Sequence, residues 1–213
     1  MMILIDIGHP AHVHLFRNFY FEIKKKGFCP VVTVKNISSA KKLLESFGID
    51  YIEIGAKSDT IGGKLFKQFG FTYQLFKIVK KNRIQLGLGS SITLAHVSKI
   101  TKMKSFLFDD DDSAVQPLFA RFAHPFADFL LSPDVLAFER NKKNHIIYPG
   151  YHELAYLHPL RFTPEPGVVK EVGLNPGEKY FVMRFNVFKA HHDIDVSGLS
   201  LEQKLELVML MEK

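Results

Sequence analysis

Along this chain, short β-branched apolar runs alternate with longer stretches in which apolar residues return every three or four positions, the period of a helix with one buried face. The short runs, at residues 2–5, 29–35, 50–54, 84–88, 105–108, 129–131 and 145–148, predict strands. Between them, Val13, Phe16, Tyr20 and Ile23 form a helical stripe that stops at Gly27, and Ala40, Leu43, Leu44 and Phe47 form another that stops at Gly48. Residues 64–81 predict a longer helix burying Leu65, Phe69, Phe76 and Val79, with Phe66 and Phe71 off the stripe. Leu94, Ala95 and Val97 mark the next helix, and Val115, Leu118, Phe119 and Phe122 the one after it. Strands separated by helices need crossover connections, so the expected fold is α/β with a mainly parallel, doubly wound sheet. Its first five strands are expected in the order 3-2-1-4-5, with ligands at the carboxyl edge where the winding reverses.

From residue 159 to 177 the pattern breaks up under Pro159, Pro164, Pro166, Gly167, Gly173, Pro176 and Gly177. The expected organisation is therefore a first domain over 1–158, a linker over 159–177 and the start of a second domain over 178–213. That last part reads as a strand at 180–185, a loop at 186–198 and a helix at 201–211. One strand and one helix cannot build a core of their own, so Phe181, Met183, Leu205 and Met209 are expected to lie open.

A content of 46% hydrophobic and 13% aromatic residues is ample for a packed core. No apolar run approaches the roughly 18 to 20 residues that span a bilayer, and Met2 leads directly into a strand rather than a secretory signal, so the expected location is cytoplasmic. Cys29 is the single cysteine, which excludes an internal disulfide; its place in a strand makes it a core residue by expectation. The net charge of +6 and pI near 9.2 raise nucleic acid as a partner. The lysines argue against it, since Lys24, Lys25 and Lys26 close a helix and Lys41, Lys42, Lys80 and Lys81 sit on solvated helix faces. A basic surface also suits a sugar nucleotide or an anionic membrane.

The reactive side chains gather at strand ends. Asp6, His9, His12 and His14 share the first strand-to-helix junction, with Gly8 and Pro10 making the turn. Three chemistries are open to the histidines: a general base, a metal site with Asp6, or hydrogen-bond donors to a phosphate or a sugar hydroxyl. The bland alternative has Asp6 or His12 capping the helix. His12 and His14 straddle the helix start and diverge around it, so no metal is expected. Ser90 and Ser91 offer a hydroxyl-rich rim after the fourth strand. Asp109 to Asp112 follow the fifth; carboxylates suit Mg²⁺, but four adjacent ones cannot all face one ion, so at least one of Asp109 and Asp110 is a candidate for direct catalysis or ligand contact, and Asp111, Asp112 or Ser113 for a helix cap.

Taken together, these pieces resemble the family known as domain of unknown function 354. The matching segments are Asp6 to Arg17, Phe108 to Asp110, Ala127 to Pro133, Pro149 to Leu157 with Glu153, and Arg184 with Ala190, His191, His192 and Asp193. The resemblance implies a Rossmann-like domain forming the N-terminal half of a GT-B glycosyltransferase-type fold, more distantly similar to UDP-N-acetylglucosamine 2-epimerases. It implies that Asp6, His12 and His14 line a cleft from the first domain and that Arg184, His192 and Asp193 line it from the second. Asp6, His12 and His14 are the expected catalytic residues, and His9, Ser90, Ser91, Asp109, Asp110, Glu153, Arg184, His192 and Asp193 the expected substrate contacts. Arg184 is the expected partner of a diphosphate. The implied partners are a nucleotide sugar, most simply a UDP-sugar, and a glycan or lipid-linked acceptor, with no added cofactor. A nucleotide-holding half is expected beyond residue 213, which makes the chain a fragment or a truncated product, inactive alone. The competing readings are a sugar-nucleotide 2-epimerase and a non-catalytic binding remnant. Phe66, Phe69, Phe71 and Phe76 on a lysine-bearing helix are candidates for peripheral membrane contact.

Overall fold

The computed structural model describes residues 1–55, 63–139, 144–175, 177–185 and 198–211, with side chains of the third helix from Gln68 onward. Seven strands form one sheet: β1 (Met2–Ile7), β2 (Cys29–Lys35), β3 (Ile52–Ile54), β4 (Leu86–Gly89), β5 (Lys104–Phe108), β6 (Phe129–Pro133) and β7 (His145–Tyr148). Their order is β3-β2-β1-β4-β5-β6-β7, and every pairing is parallel. The winding reverses between β1 and β4, as the alternation of strands and helices implies.

Both faces of this sheet are covered, which is why β1 is apolar at consecutive positions rather than alternating. Leu4 faces one layer with Leu75, Val79, Leu94, Val97, Met103 and Leu107. Ile5 and Ile7 face the other, packed against Val13, Phe16, Tyr20, Val32, Val34 and Leu44. The first layer comes from α3 (Gly63–Lys81) and α4 (Ile92–Lys99), the second from α1 (Pro10–Lys25) and α2 (Ser38–Ser46). Gly27 and Gly48 end α1 and α2 at φ +80° and +63°, a conformation that favours glycine.

Several expectations are corrected. The buried stripe of α3 runs through Leu75 and Val79, while Phe69 is 66% exposed beside Tyr73 at 59%; Phe71 is half-buried under Lys35. Leu65 and Phe66 lie outside the described side chains. A short helix, α5 (Pro117–Phe122), follows β5, and Val115, Leu118 and Phe122 are exposed because Pro117 starts it late and no layer of the described residues covers it. Its N-cap position is Gln116, with no side-chain cap, so Asp111, Asp112 and Ser113 do not serve as that cap. Cys29 is exposed at the start of β2 rather than core. Among the described residues no helix is long and apolar enough to cross a membrane.

The chain divides into two compact units, residues 1–162 and 163–213. The first also holds α6 (Leu154–Leu157). The second contains α7 (Val168–Glu171), a helical turn inside the stretch expected to be irregular, and α8 (Leu201–Met211). Residues 180–185 are not a strand, since no described segment supplies the ladder hydrogen bonds that a strand needs. Phe181, Leu205 and Met209 are exposed and Met183 is half-buried.

Candidate functional site

At the carboxyl edge of the sheet the chain turns from β1 into α1. His9 is the N-cap: its backbone is extended, its Nδ1 accepts the Ala11 N–H at 3.2 Å, and Pro10 opens the helix. Neither Asp6 nor His12 performs that task. Asp6 is fully buried (0% exposed), and its carboxylate accepts the Thr33 hydroxyl at 2.8 Å and the Ser91 hydroxyl at 2.5 Å. Thr33 stands beside Asp6 on β2, and Gly89 flanks it on β4 without a side chain. A Cβ at Gly89 would come within 2.8 Å of the Asp6 carbonyl oxygen. Ser91 also caps α4 by accepting the Leu94 N–H, so Asp6 ties three elements together below the open edge.

His12 sits one helical turn above. Its Nδ1 accepts the Gly8 N–H at 3.2 Å, which leaves the proton of the neutral ring on Nε2. Burial, with the positive surroundings of His9, His152 and Lys35 outweighing Asp110, lowers its pKa from 6.5 to about 4. At neutral pH His12 is therefore an uncharged Nε2–H donor. The proton-accepting alternative would turn an Nδ1–H against the Gly8 N–H. His14 packs against Phe47 and Tyr156, ring centroids 5.9 and 5.3 Å away, and is shifted below its usual value by partial burial and by Arg17.

The aspartates after β5 separate sharply. Asp109 is buried (4% exposed) and joined to His124 Nε2 at 2.7 Å. Asp110 keeps 39% of its side chain exposed while its Oδ2 meets His152 Nδ1 at 2.9 Å. Burial alone would raise the Asp110 carboxyl; the hydrogen bond and charge of His152, with the Asp110 backbone and His12, hold it below its usual value. Asp111 is raised by burial and by Asp110, and it accepts from Gln116. One carboxylate oxygen from each of Asp109, Asp110 and Asp111 falls within 4.8 Å of the others, yet each carboxylate already has a partner within the protein.

His152 arrives from the far side of the sheet. After β7 the chain turns at Gly150 (φ +124°) and crosses the carboxyl edge, resting His152 on Phe108 and Tyr156 on His14. Asn18 of α1 donates to the Ala155 carbonyl at 2.8 Å and fixes the strap in place. Glu153 is exposed on this strap, and Ser90 is half-buried after β4. The structure thus gathers His9, His12, His14, Ser90, Asp110 and Glu153 on one edge, with Asp6, Ser91 and Asp109 buried beneath them. Arg184 is exposed in the second unit; His192 and Asp193 lie outside the described residues. Sequence reasoning passed over His152, His124, Thr33 and Lys35. His152 lies inside a quoted segment, whereas nothing local marks His124 as the partner of Asp109.

A search of curated proteins returns no match. Among solved structures, the UDP-GlcNAc 2-epimerase from Neisseria meningitidis bound to UDP-GlcNAc aligns at TM-score 0.59 and 12% identity, over 75% of this chain and 50% of that one. The S. aureus MnaA–UDP co-structure aligns at 0.58 and 11%, over 80% and 50%. MurG from Acinetobacter baumannii aligns at 0.55 and 11%, over 70% and 45%. This chain spans about half the length of these proteins, and at such identities the likeness establishes the fold: a Rossmann-like α/β fold of the GT-B type. The family described as protein of unknown function (DUF354) matches residues 1–196, and the chain belongs to that family.

Proposed function

We propose that this chain is the acceptor-side half of a two-domain enzyme that transfers a sugar from a nucleotide sugar, most simply a UDP-sugar, to a glycan or lipid-linked acceptor in surface-polysaccharide assembly at the cytoplasmic side. The observation that carries this is the neutral Nε2–H of His12 at the carboxyl edge where the winding reverses, beside the open carboxylate of Asp110. A neutral N–H donor orients and polarises an acceptor or sugar oxygen through a hydrogen bond. In this reading His9, Ser90 and Glu153 contact the acceptor, and His14 supports the strap through Tyr156. Asp6, Ser91 and Asp109 act from below by holding the edge in shape. Arg184, His192 and Asp193 belong to the nucleotide side, where the planar guanidinium of Arg184 pairs with the diphosphate. Exposed Phe69 and Tyr73, with Lys77 Nζ 4.3 Å from the Tyr73 ring centroid, suit a peripheral approach to an anionic membrane that carries the acceptor.

The second reading, a sugar-nucleotide 2-epimerase, is favoured by the UDP-GlcNAc 2-epimerase among the structural neighbours and uses the same edge to move a proton on the sugar. The two separate in one assay with UDP-GlcNAc on a form extended through the second half: transfer consumes the nucleotide sugar and frees UDP, whereas epimerisation isomerises it. As loss of one preorganised donor, His12→Ala is expected to lower turnover roughly 10²- to 10³-fold with little change in nucleotide affinity. Calorimetry on residues 1–213 is expected to give weak or no UDP-sugar binding. Micromolar affinity there would reverse the assigned division of labour.

A further inference from the structure

The geometry points to Asp110 as the proton-accepting carboxylate of this edge, and to His152, carried across the sheet by residues 149–157, as the residue that positions it. This rests on the sugar-transfer reading above and names the group that takes the acceptor's proton.

The carboxylates at the strand ends are not equivalent. Asp6 is held by two hydroxyls and Asp109 by His124, both out of reach of solvent. Asp110 has one oxygen engaged by His152 and the rest of its carboxylate open toward the edge that His12 occupies. Because a carboxylate only accepts, the His152 ring gives its Nδ1–H to Asp110. Among the described residues its Nε2 is buried without a hydrogen-bond partner, so the ring works through Asp110. The ring is fixed by near-parallel stacking on Tyr148, with centroids 6.2 Å apart, and by the Phe108 edge of the sheet. The left-handed turn at Gly150 and the Asn18 bond to Ala155 deliver it there. The arrangement is a carboxylate in front with an imidazole behind, the reverse of a histidine base backed by an aspartate.

In the step this supports, the acceptor hydroxyl gives its proton to the open oxygen of Asp110 as its oxygen bonds to the anomeric carbon. The bond from that carbon to the diphosphate breaks, and the nucleoside diphosphate leaves with the electron pair. The proton then passes from Asp110 to solvent. His12 Nε2–H lies on the same edge to orient the acceptor.

The test needs one readout without substrate and one with it. Carboxyl ¹³C NMR on residues 1–213 is expected to show Asp110 titrating below the usual carboxylate range in the wild type and higher in His152→Ala. In His152→Asn it stays low, because the asparagine Nδ2 can replace the imidazole Nδ1 as donor. On the form extended through the second half, with UDP-GlcNAc as donor, Asp110→Asn is expected to lower kcat roughly 10²- to 10⁴-fold with KM little changed. His152→Ala should move the acidic limb of the kcat profile upward, and His152→Asn should restore it. A purely structural role would lower activity without moving that limb. Asp110 titrating at its ordinary position in the wild type, or identically in His152→Ala and wild type, overturns the positioning role whatever the turnover. Full kcat in Asp110→Asn overturns the base role. If the titrations behave as stated but the wild type neither turns over nor binds UDP-GlcNAc, the transfer reading and the base role fall together and only the pairing survives.

Discussion

His12 makes the stability of this fold depend on pH in a window that can be stated in advance. In the unfolded chain its imidazole titrates near 6.5, and in the folded protein at about 4. Above pH 6.5 neither state binds the proton and the contribution is fully present. Between 6.5 and 4 the unfolded chain takes up a proton that the folded one refuses, so stability falls as pH falls. Below about 4 both are protonated and the contribution is gone. At about 1.4 kcal/mol per pH unit the whole loss is about 3 kcal/mol, a sizeable fraction of the usual stability of a domain. Urea unfolding from pH 7 to 4, for the wild type and for His12→Asn, isolates it. Asparagine can still accept the Gly8 N–H through its side-chain oxygen but does not titrate, so its curve is expected to be flatter by about 3 kcal/mol over that range. His14 adds a loss of the same sign in both proteins and cancels in the comparison. Asp128 works lower: burial would raise it, but the Ser105 N–H with Lys104 and Lys99 brings it from 3.8 to about 2, so its contribution is lost only below that upper value. Parallel curves between pH 6.5 and 4 would refute the assignment of His12 as a neutral buried donor.

Three substitutions test the knot beneath the site by the same unfolding measurement. Thr33→Ala removes one donor from a buried carboxylate and is expected to cost about 1–3 kcal/mol, while Ser91→Ala removes a donor and the α4 cap and should cost about 1 kcal/mol more; equal losses would mean that the cap is idle. Gly89→Ala brings a methyl group against the Asp6 backbone, which cannot yield as a flexible side chain would, and is expected to cost about 1–3 kcal/mol; a neutral result would show that β1 and β4 separate more easily than their pairing indicates.

The sequence by itself determined the alternation of strands and helices, and with it the parallel sheet and the reversal between β1 and β4, because period and turn residues are local signals that crossover rules convert into topology. It also marked the β1 to α1 junction and the aspartates after β5 as the edge where chemistry gathers. It did not sort those residues. Asp6 and Asp110 are both aspartates just beyond or within apolar runs; only the hydroxyls of Thr33 and Ser91, brought from β2 and α4, bury the first, and only the strap after β7 leaves the second open. The tautomer of His12 depends on which way its ring meets the Gly8 N–H, a matter of two side-chain torsions that no spacing encodes. Helical stripes misled where tertiary cover was lacking: Phe69 and Leu118 carry the period of buried residues, but no layer of the described residues lies over them. Burial is a property of what packs against a residue, and that is decided by segments far along the chain.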